Sequence, residues 1–462
     1  MRCTDSLVPT GSSLRTDHAL SSAFHATLPG RAMVLVLAAA LAPLPLAAQA
    51  LSSVEQAIAS EVDARAEEAI ELLTRSVNIN SGSMNFEGVR EVGALFRAEF
   101  DALGFQTEWV DGAAFERAGH LVARRTGSGP HLLLIGHLDT VFEPSSPFQT
   151  FERDGDRAQG PGVVDMKGGD VVIIHALKAL SAAGQLDDMS VTVVMTGDEE
   201  RSGRPLDAAR EALVRAADEA DIAIAFENGD SNPATAVVAR RGSTGWRLDV
   251  TGTPAHSSQL FQDEVGAGAT YEASRILTRF YERLAGERLL TFNPGVMLAG
   301  TDVDYDAFTA GGTAFGKSNV VAETAVVTGD LRTITLDQLE DARAAMRFVA
   351  RQNLPGTSAT ITFDDGYPPL APTDGNHRLL ALFSQVSQDL GFGEVTAVNP
   401  RNAGAADVSF TAGLVDMAID GLGPGGGNDH TVDEWIDLPT LALQTKRAAV
   451  LMHRLSTRPG AE

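Results

Sequence analysis

The chain has 462 residues, 44% hydrophobic and 21% charged, with 45 glycines and 20 prolines. That balance excludes a disordered polypeptide and a single small module. With 36 Lys and Arg against 61 Asp and Glu the formal charge is −25. So acidic a chain excludes nucleic acid, and argues against anionic membrane surfaces, because both are held by positive counter-charge.

In the first fifty residues, Arg31 precedes the apolar run Val34–Leu41, which Pro43 and Pro45 interrupt before Ala48-Gln49-Ala50. A basic flank, a short apolar core and an A-x-A site read as a signal peptide over 1–50, with Met33 an alternative start. An exported protein follows, periplasmic or extracellular, with no membrane attachment after cleavage; an uncleaved anchor is the alternative. The only cysteine, Cys3, lies in this segment. Disulfides and thiolate ligands are therefore excluded, and any metal site must use His, Asp and Glu.

Beyond it, Val54, Ile58, Val62, Ala66, Ile70 and Leu73 recur at helical spacing. A second helix is expected over 86–103, closed by Gly104. Continuous apolar runs then predict strands at 132–135, 191–195 and 222–226, with a helix over 169–183 between the first two. Such runs suit a mostly parallel sheet covered by helices, an α/β architecture. From Ala239 the order becomes strand 246–250, helix 265–284, strands 289–298 and 320–331, helix 336–352 and strand 359–363. This βαββαβ order is that of a ferredoxin-like unit, so 239–367 reads as an inserted domain. It divides a catalytic domain into 51–238 and 368–462, the latter ending in a helix over 441–455.

Six motifs carry chemistry. Leu134–Val141 runs an apolar strand into His137-x-Asp139; an imidazole that holds a metal needs its second N–H fixed, which a nearby carboxylate can do. Gly160–Gly169 sets Asp165 in a glycine-rich turn before an apolar helix, with an anion-binding loop or a helix cap as alternatives. A third strand delivers Glu199 and Glu200; neighbours in extended chain point opposite ways, so one can bind metal and the other hold a proton. An acidic loop is the alternative. Phe226-Glu227-Asn228, Gly427-Asn428-Asp429-His430 and Ala255-His256-Ser257 complete the set. His137, Asp165, Glu200, Glu227 and His430 together can hold two zinc ions roughly 3.5–4 Å apart. His175 reads as a packed core residue, and His120, His131, His377 and His453 as surface.

In this order the motifs resemble the di-zinc metallopeptidases that include glutamate carboxypeptidase, aminoacylase and succinyl-diaminopimelate desuccinylase. The resemblance spans essentially all of the chain beyond residue 50. It implies that Asp165 bridges two Zn²⁺ ions (Co²⁺ or Mn²⁺ as substitutes), that His137 and Glu227 complete one site, and that Glu200 and His430 complete the other. Glu199 is then the general base acting on a metal-bridging hydroxide, and Asp139 orients His137. His256, from the small domain, stabilises the oxyanion, commonly in the partner of a homodimer, while Arg332 and Asn319 meet the substrate. The implied activity is cleavage of a peptide or N-acyl amide next to a C-terminal amino acid. A dipeptidase is the runner-up, and an inactive metal-binding protein the remote alternative. One segment departs from the family pattern: Asn402-Ala403-Gly404-Ala405-Ala406-Asp407 stands where many members carry Gly-Gly-Thr-Asp.

Overall fold

The computed structural model describes residues 50–307 and 309–457; apart from Ala50, the expected signal peptide lies outside them. Ser52 starts helix α1 (Ser53–Ala64) with a capping box, accepting the Glu55 N–H at 3.2 Å while the Glu55 carboxylate accepts the Ser52 N–H at 2.7 Å. The single helix expected from Val54 to Leu73 is in fact two, because Arg65 (φ −110°, ψ 11°) separates α1 from α2 (Ala66–Val77). Only one residue leaves helical geometry. Ile58, Val62, Ala69 and Leu73 therefore still share one core, and the periodicity carries no sign of the break.

The elements that follow are α3 (Phe86–Ala102), β1 (Gln106–Asp111), β2 (Gly119–Arg125), β3 (Ser128–His137), α4 (Lys167–Ala182), β4 (Met189–Thr196), α5 (Leu206–Asp218) and β5 (Ile222–Ala225). The second region holds β6 (Thr244–Gly252), α6 (Gly268–Leu284), β7 (Thr291–Gly300), β8 (Asp302–Asp306), β9 (Gly311–Phe315), β10 (Thr324–Arg332), α7 (Leu336–Ala350) and β11 (Thr357–Asp365). Finally come α8 (Asp374–Asp389), β12 (Met417–Ile419) and α9 (Leu438–Thr457).

A six-stranded sheet runs β1-β2-β4-β3-β5-β12; β4, β3, β5 and β12 are mutually parallel, and β2 pairs antiparallel with both of its neighbours, β1 and β4. The fold is thus α/β with a mixed sheet. Helix α4 is buried all round from Lys167 to Leu177, between the sheet and α1, α2 and α9. Each buried Val or Ile there contributes about 1.5–3 kcal/mol. Gly169 is required by proximity, since a Cβ would lie 2.0 Å from the Phe226 carbonyl oxygen. No helix among the described residues is long and apolar enough to cross a membrane.

His175, as expected, packs in this core at 2% exposure, and neither ring nitrogen has a partner. Burial drives its pKa down to about 4. The unfolded chain then binds the extra proton more readily, so stability falls as pH drops through the window from about 6.5 to about 4, by about 3 kcal/mol in total. Urea titrations of His175→Leu at pH 7 and pH 4.5 are expected to show a smaller pH difference than wild type. An equal difference in both would exclude His175 as its source.

The second sheet, ordered β7-β10-β6-β11 and antiparallel throughout, is backed by α6 and α7. It has a core of its own, from Trp246, Leu248, Ile276, Phe280, Val327 and Met346 among others. This is the anticipated βαββαβ order with one addition, the β8–β9 hairpin. Two segments join this region to the first sheet side by side: Arg240 and Leu370 exchange backbone hydrogen bonds (3.0 and 2.9 Å), and the Ser243 N–H donates to the Tyr367 carbonyl (2.8 Å).

Candidate metal centre

The parallel strands β3, β4 and β5 end at one edge of the sheet. Their ends deliver His137, the Glu199–Glu200 pair and Glu227, as expected where strand ends of an α/β sheet form a crevice. Asp165 arrives on the loop into α4. Gly162 turns that loop at φ +74°, a conformation that side chains disfavour. His430 comes from the turn before α9, itself in the left-handed region at φ 64°.

These residues meet in two groups that share Asp165. His137 Nε2 lies 3.3 Å from Asp165 Oδ1 and 3.3 Å from Glu227 Oε1. His430 Nε2 lies 3.0 Å from Asp165 Oδ2 and 3.1 Å from Glu200 Oε2. Metal-type clusters are His137–Asp165–Glu200, His137–Glu199–Glu227 and Asp165–Asp429–His430, each with donor atoms within 4.8 Å of one another. Asp429 was not singled out in the sequence. The pair lies in the turn after β4 rather than in extended chain, so strand alternation does not set its directions; Glu200 reaches His430 and Glu199 groups with His137 and Glu227.

The electrostatics describe carboxylates short of counter-charge. Burial, reinforced by Asp165, pushes Glu227 up to about 7. Burial also holds Glu199 well above the ordinary carboxylate range, against the pull of His137 and with help from Glu227, Asp407 and Glu200. Asp165 and Glu200 raise His430 to about 11. Glu200 Oε1 is buried without a hydrogen-bond partner. Hard oxygen and imidazole donors, one orphaned carboxylate oxygen and surplus negative charge fit a pair of divalent cations.

Three of the ligand-bearing loops, those of the glutamate pair, Asp165 and Glu227, are each held by a buried acid. Asp139 accepts the N–H groups of Glu199 (3.0 Å) and Glu200 (3.2 Å) and the Ser83 hydroxyl (2.6 Å). His137 Nδ1 lies 3.0 Å from the Asp139 carbonyl and 3.5 Å from its carboxylate, so the main-chain oxygen takes most of the orienting role expected of the side chain. A carbonyl only accepts, so Nδ1 carries the hydrogen and Nε2 stays free for metal. Glu434 accepts from the N–H groups of Gly162 (3.2 Å), Val164 (2.9 Å) and Asp165 (3.2 Å). Asp420 accepts from Glu227 N–H (3.1 Å) and is paired with Arg240 (2.7 Å). Lys167 donates to the carbonyls of Ser76 and Ile79, both at 3.0 Å, and burial lowers its pKa to about 7.

Glu434 and Asp420 escaped the sequence reading; the one available signal was an acid directly flanking a short apolar strand. His120, expected at the surface, is 1% exposed. Its Nε2 lies 2.8 Å from the Ala209 carbonyl and its Nδ1 3.2 Å from the Gly197 N–H, so a polar ring is buried by satisfying both nitrogens. Asp407, in the segment that departs from the family pattern, is a buried partner of Arg210 at 2.8 Å.

Three expected site residues lie apart from the cluster. His256 is exposed and its Nδ1 pairs with Ser258 Oγ at 2.8 Å. Asn319 sits beside it, its carbonyl accepting the Ser257 N–H at 2.9 Å. Arg332 Nε lies 2.8 Å from Asp330 Oδ2 on β10.

Fold and donor set are those of a metal-dependent hydrolase. The chain belongs to peptidase family M20/M25/M40, whose model matches residues 133–454. Carboxypeptidase G2 of Pseudomonas sp. (strain RS-16) is 27% identical over 394 residues, covering 83% of this chain and 88% of its own. A succinyl-diaminopimelate desuccinylase of Gluconacetobacter diazotrophicus is 26% identical over 377 residues, covering 79% and 91%. The aminopeptidase PepT structure from Bacillus cereus superposes with a TM-score of 0.67 at 17% identity, covering 85% of this chain and 99% of that one. The protein is accordingly a metallopeptidase-type hydrolase of amide bonds.

Proposed function

We propose that the protein is an exported, zinc-dependent hydrolase that cleaves a peptide or N-acyl amide bond next to a C-terminal amino acid. The observation that carries this reading is the pair of His–carboxylate groups meeting at Asp165, with Glu199 beside them. His137, Asp165 and Glu227 would hold one cation, and His430, Asp165 and Glu200 the other. Two cations bound there supply Lewis acidity to the amide carbonyl and acidify a water. Glu199 takes the proton from that water and returns it to the leaving nitrogen. Arg332 binds the carboxylate of the leaving amino acid, and Asn319 contacts the substrate from the same region. His256 of the partner subunit donates to the developing oxyanion; its exposure on a region with a separate core supports a role across a homodimer. In this reading residues 239–367 are the lid and dimerisation domain.

The test is a panel of N-acyl amino acids, blocked peptides and free dipeptides, incubated with the metal-loaded protein and followed by mass spectrometry. Hydrolysis of blocked substrates is expected, with a large loss of kcat/KM for Arg332→Ala. Hydrolysis of free dipeptides alone would replace the proposal by a dipeptidase. A metal-loaded protein that cleaves nothing would favour the inactive alternative.

A further inference from the structure

The turn carrying Glu199 is clamped from both sides. On one side Asp139 holds the Glu199 and Glu200 N–H groups. On the other, the Tyr367 hydroxyl donates to the Glu199 carbonyl at 2.9 Å. Behind Tyr367 stands Arg210, whose guanidinium donates to the same hydroxyl at 2.7 Å. It is fixed in turn by Asp198 (2.7 Å) and Asp407 (2.8 Å). Arginine can only donate, so the phenol oxygen must accept from it and direct its own hydrogen at Glu199. The polarity of the chain is therefore set by the buried ion network, and the phenol's ionisation is suppressed, its pKa held well above the ordinary value by burial and by Asp407 and Glu199.

Fixing the N–H and the C=O of one residue fixes both of its backbone dihedrals, leaving only side-chain rotors free. For a general base that must reach one proton, this placement matters more than for a residue tethered by a metal. We infer, on the functional reading above, that Tyr367 is a positioning residue for Glu199, acting through the main chain. Its place in the sequence adds to the point. Tyr367 lies two residues beyond the end of β11 and its own carbonyl accepts from Ser243 on the opposite connecting segment. The orientation of the general base therefore depends on the junction between the two sheets.

Tyr367→Phe removes only the hydroxyl; the ring keeps its edge contact with Phe410, whose centroid lies 5.2 Å away. The variant is expected to lose about 10–100-fold in kcat, with KM within about twofold of wild type and metal content unchanged. The same substitution made in Glu199→Gln protein is expected to cost almost nothing further, because the group being positioned is already gone. Leu379→Ala, in the core under α8 and outside this network, is the control for simple destabilisation, and is expected to lower thermal stability while keeping kcat. Wild-type kcat in Tyr367→Phe, or an equal loss in both backgrounds, would overturn the inference alone. A wild-type protein that cleaves nothing would instead remove the functional reading, and this inference with it.

Discussion

Glu199→Gln is expected to lower kcat by about three orders of magnitude while leaving KM and metal content nearly unchanged. Glutamine matches the shape of glutamate and cannot take up a proton at neutral pH, so the substitution isolates proton transfer from packing. The two His–carboxylate groups around Asp165 use neither oxygen of Glu199. Its main chain is held by Asp139 and Tyr367, through contacts that the substitution does not touch. Burial disfavours the carboxylate at this position, and in the metal-free protein lifts its pKa well above the ordinary value. A carboxylate of raised proton affinity suits the uptake and return of a proton that a general base requires. Metal analysis beside steady-state kinetics checks the assignment. A variant that binds less metal would make Glu199 a ligand, as its membership of the His137–Glu199–Glu227 cluster allows.

Much of this centre was legible in the sequence because strands and glycines advertise themselves. Apolar runs ending in His137, Glu199 and Glu227 place three residues at one sheet edge, since parallel strands in register end together. The glycines around Asp165 signal a turn whose backbone must approach its neighbours closely. What the sequence left hidden is carried by tertiary context. Asp420, Glu434 and Asp198 look like ordinary acids in an acidic chain; their role arises from backbone N–H groups that other loops bring to them. Strand β1 lies at the sheet edge with a largely exposed pattern, so no apolar run marks it. Helix α8, by contrast, carries Leu379, Leu380, Phe383 and Val386 at helical spacing behind a Thr373 cap, a signal readable from residue spacing alone. His120 shows the limit of reading residue types singly: a histidine is buried as readily as an apolar residue once both ring nitrogens are paired.

Asp165→Asn is expected to remove the metals themselves, and with them essentially all activity. Without the shared carboxylate each half of the centre keeps one imidazole and one carboxylate, His137 with Glu227 and His430 with Glu200. Two protein donors are fewer than the three usual for a catalytic zinc site. The loop has reason to stay in place, because Glu434 holds it through the N–H groups of Gly162, Val164 and Asp165, which the substitution preserves. The variant should therefore fold, bind well under one equivalent of zinc, and show no rise in melting temperature on zinc addition. Wild type is expected to gain stability as its sites fill, because a ligand that binds only the folded state stabilises it by mass action. This pattern separates the two central acids: Glu199→Gln keeps metal and loses turnover, whereas Asp165→Asn loses both. An Asp165→Asn protein that retains two equivalents would rule out sharing at Asp165. The cations would then have to sit within the His137–Glu199–Glu227 cluster and beside Asp429 and His430, and the general base would have to be sought elsewhere.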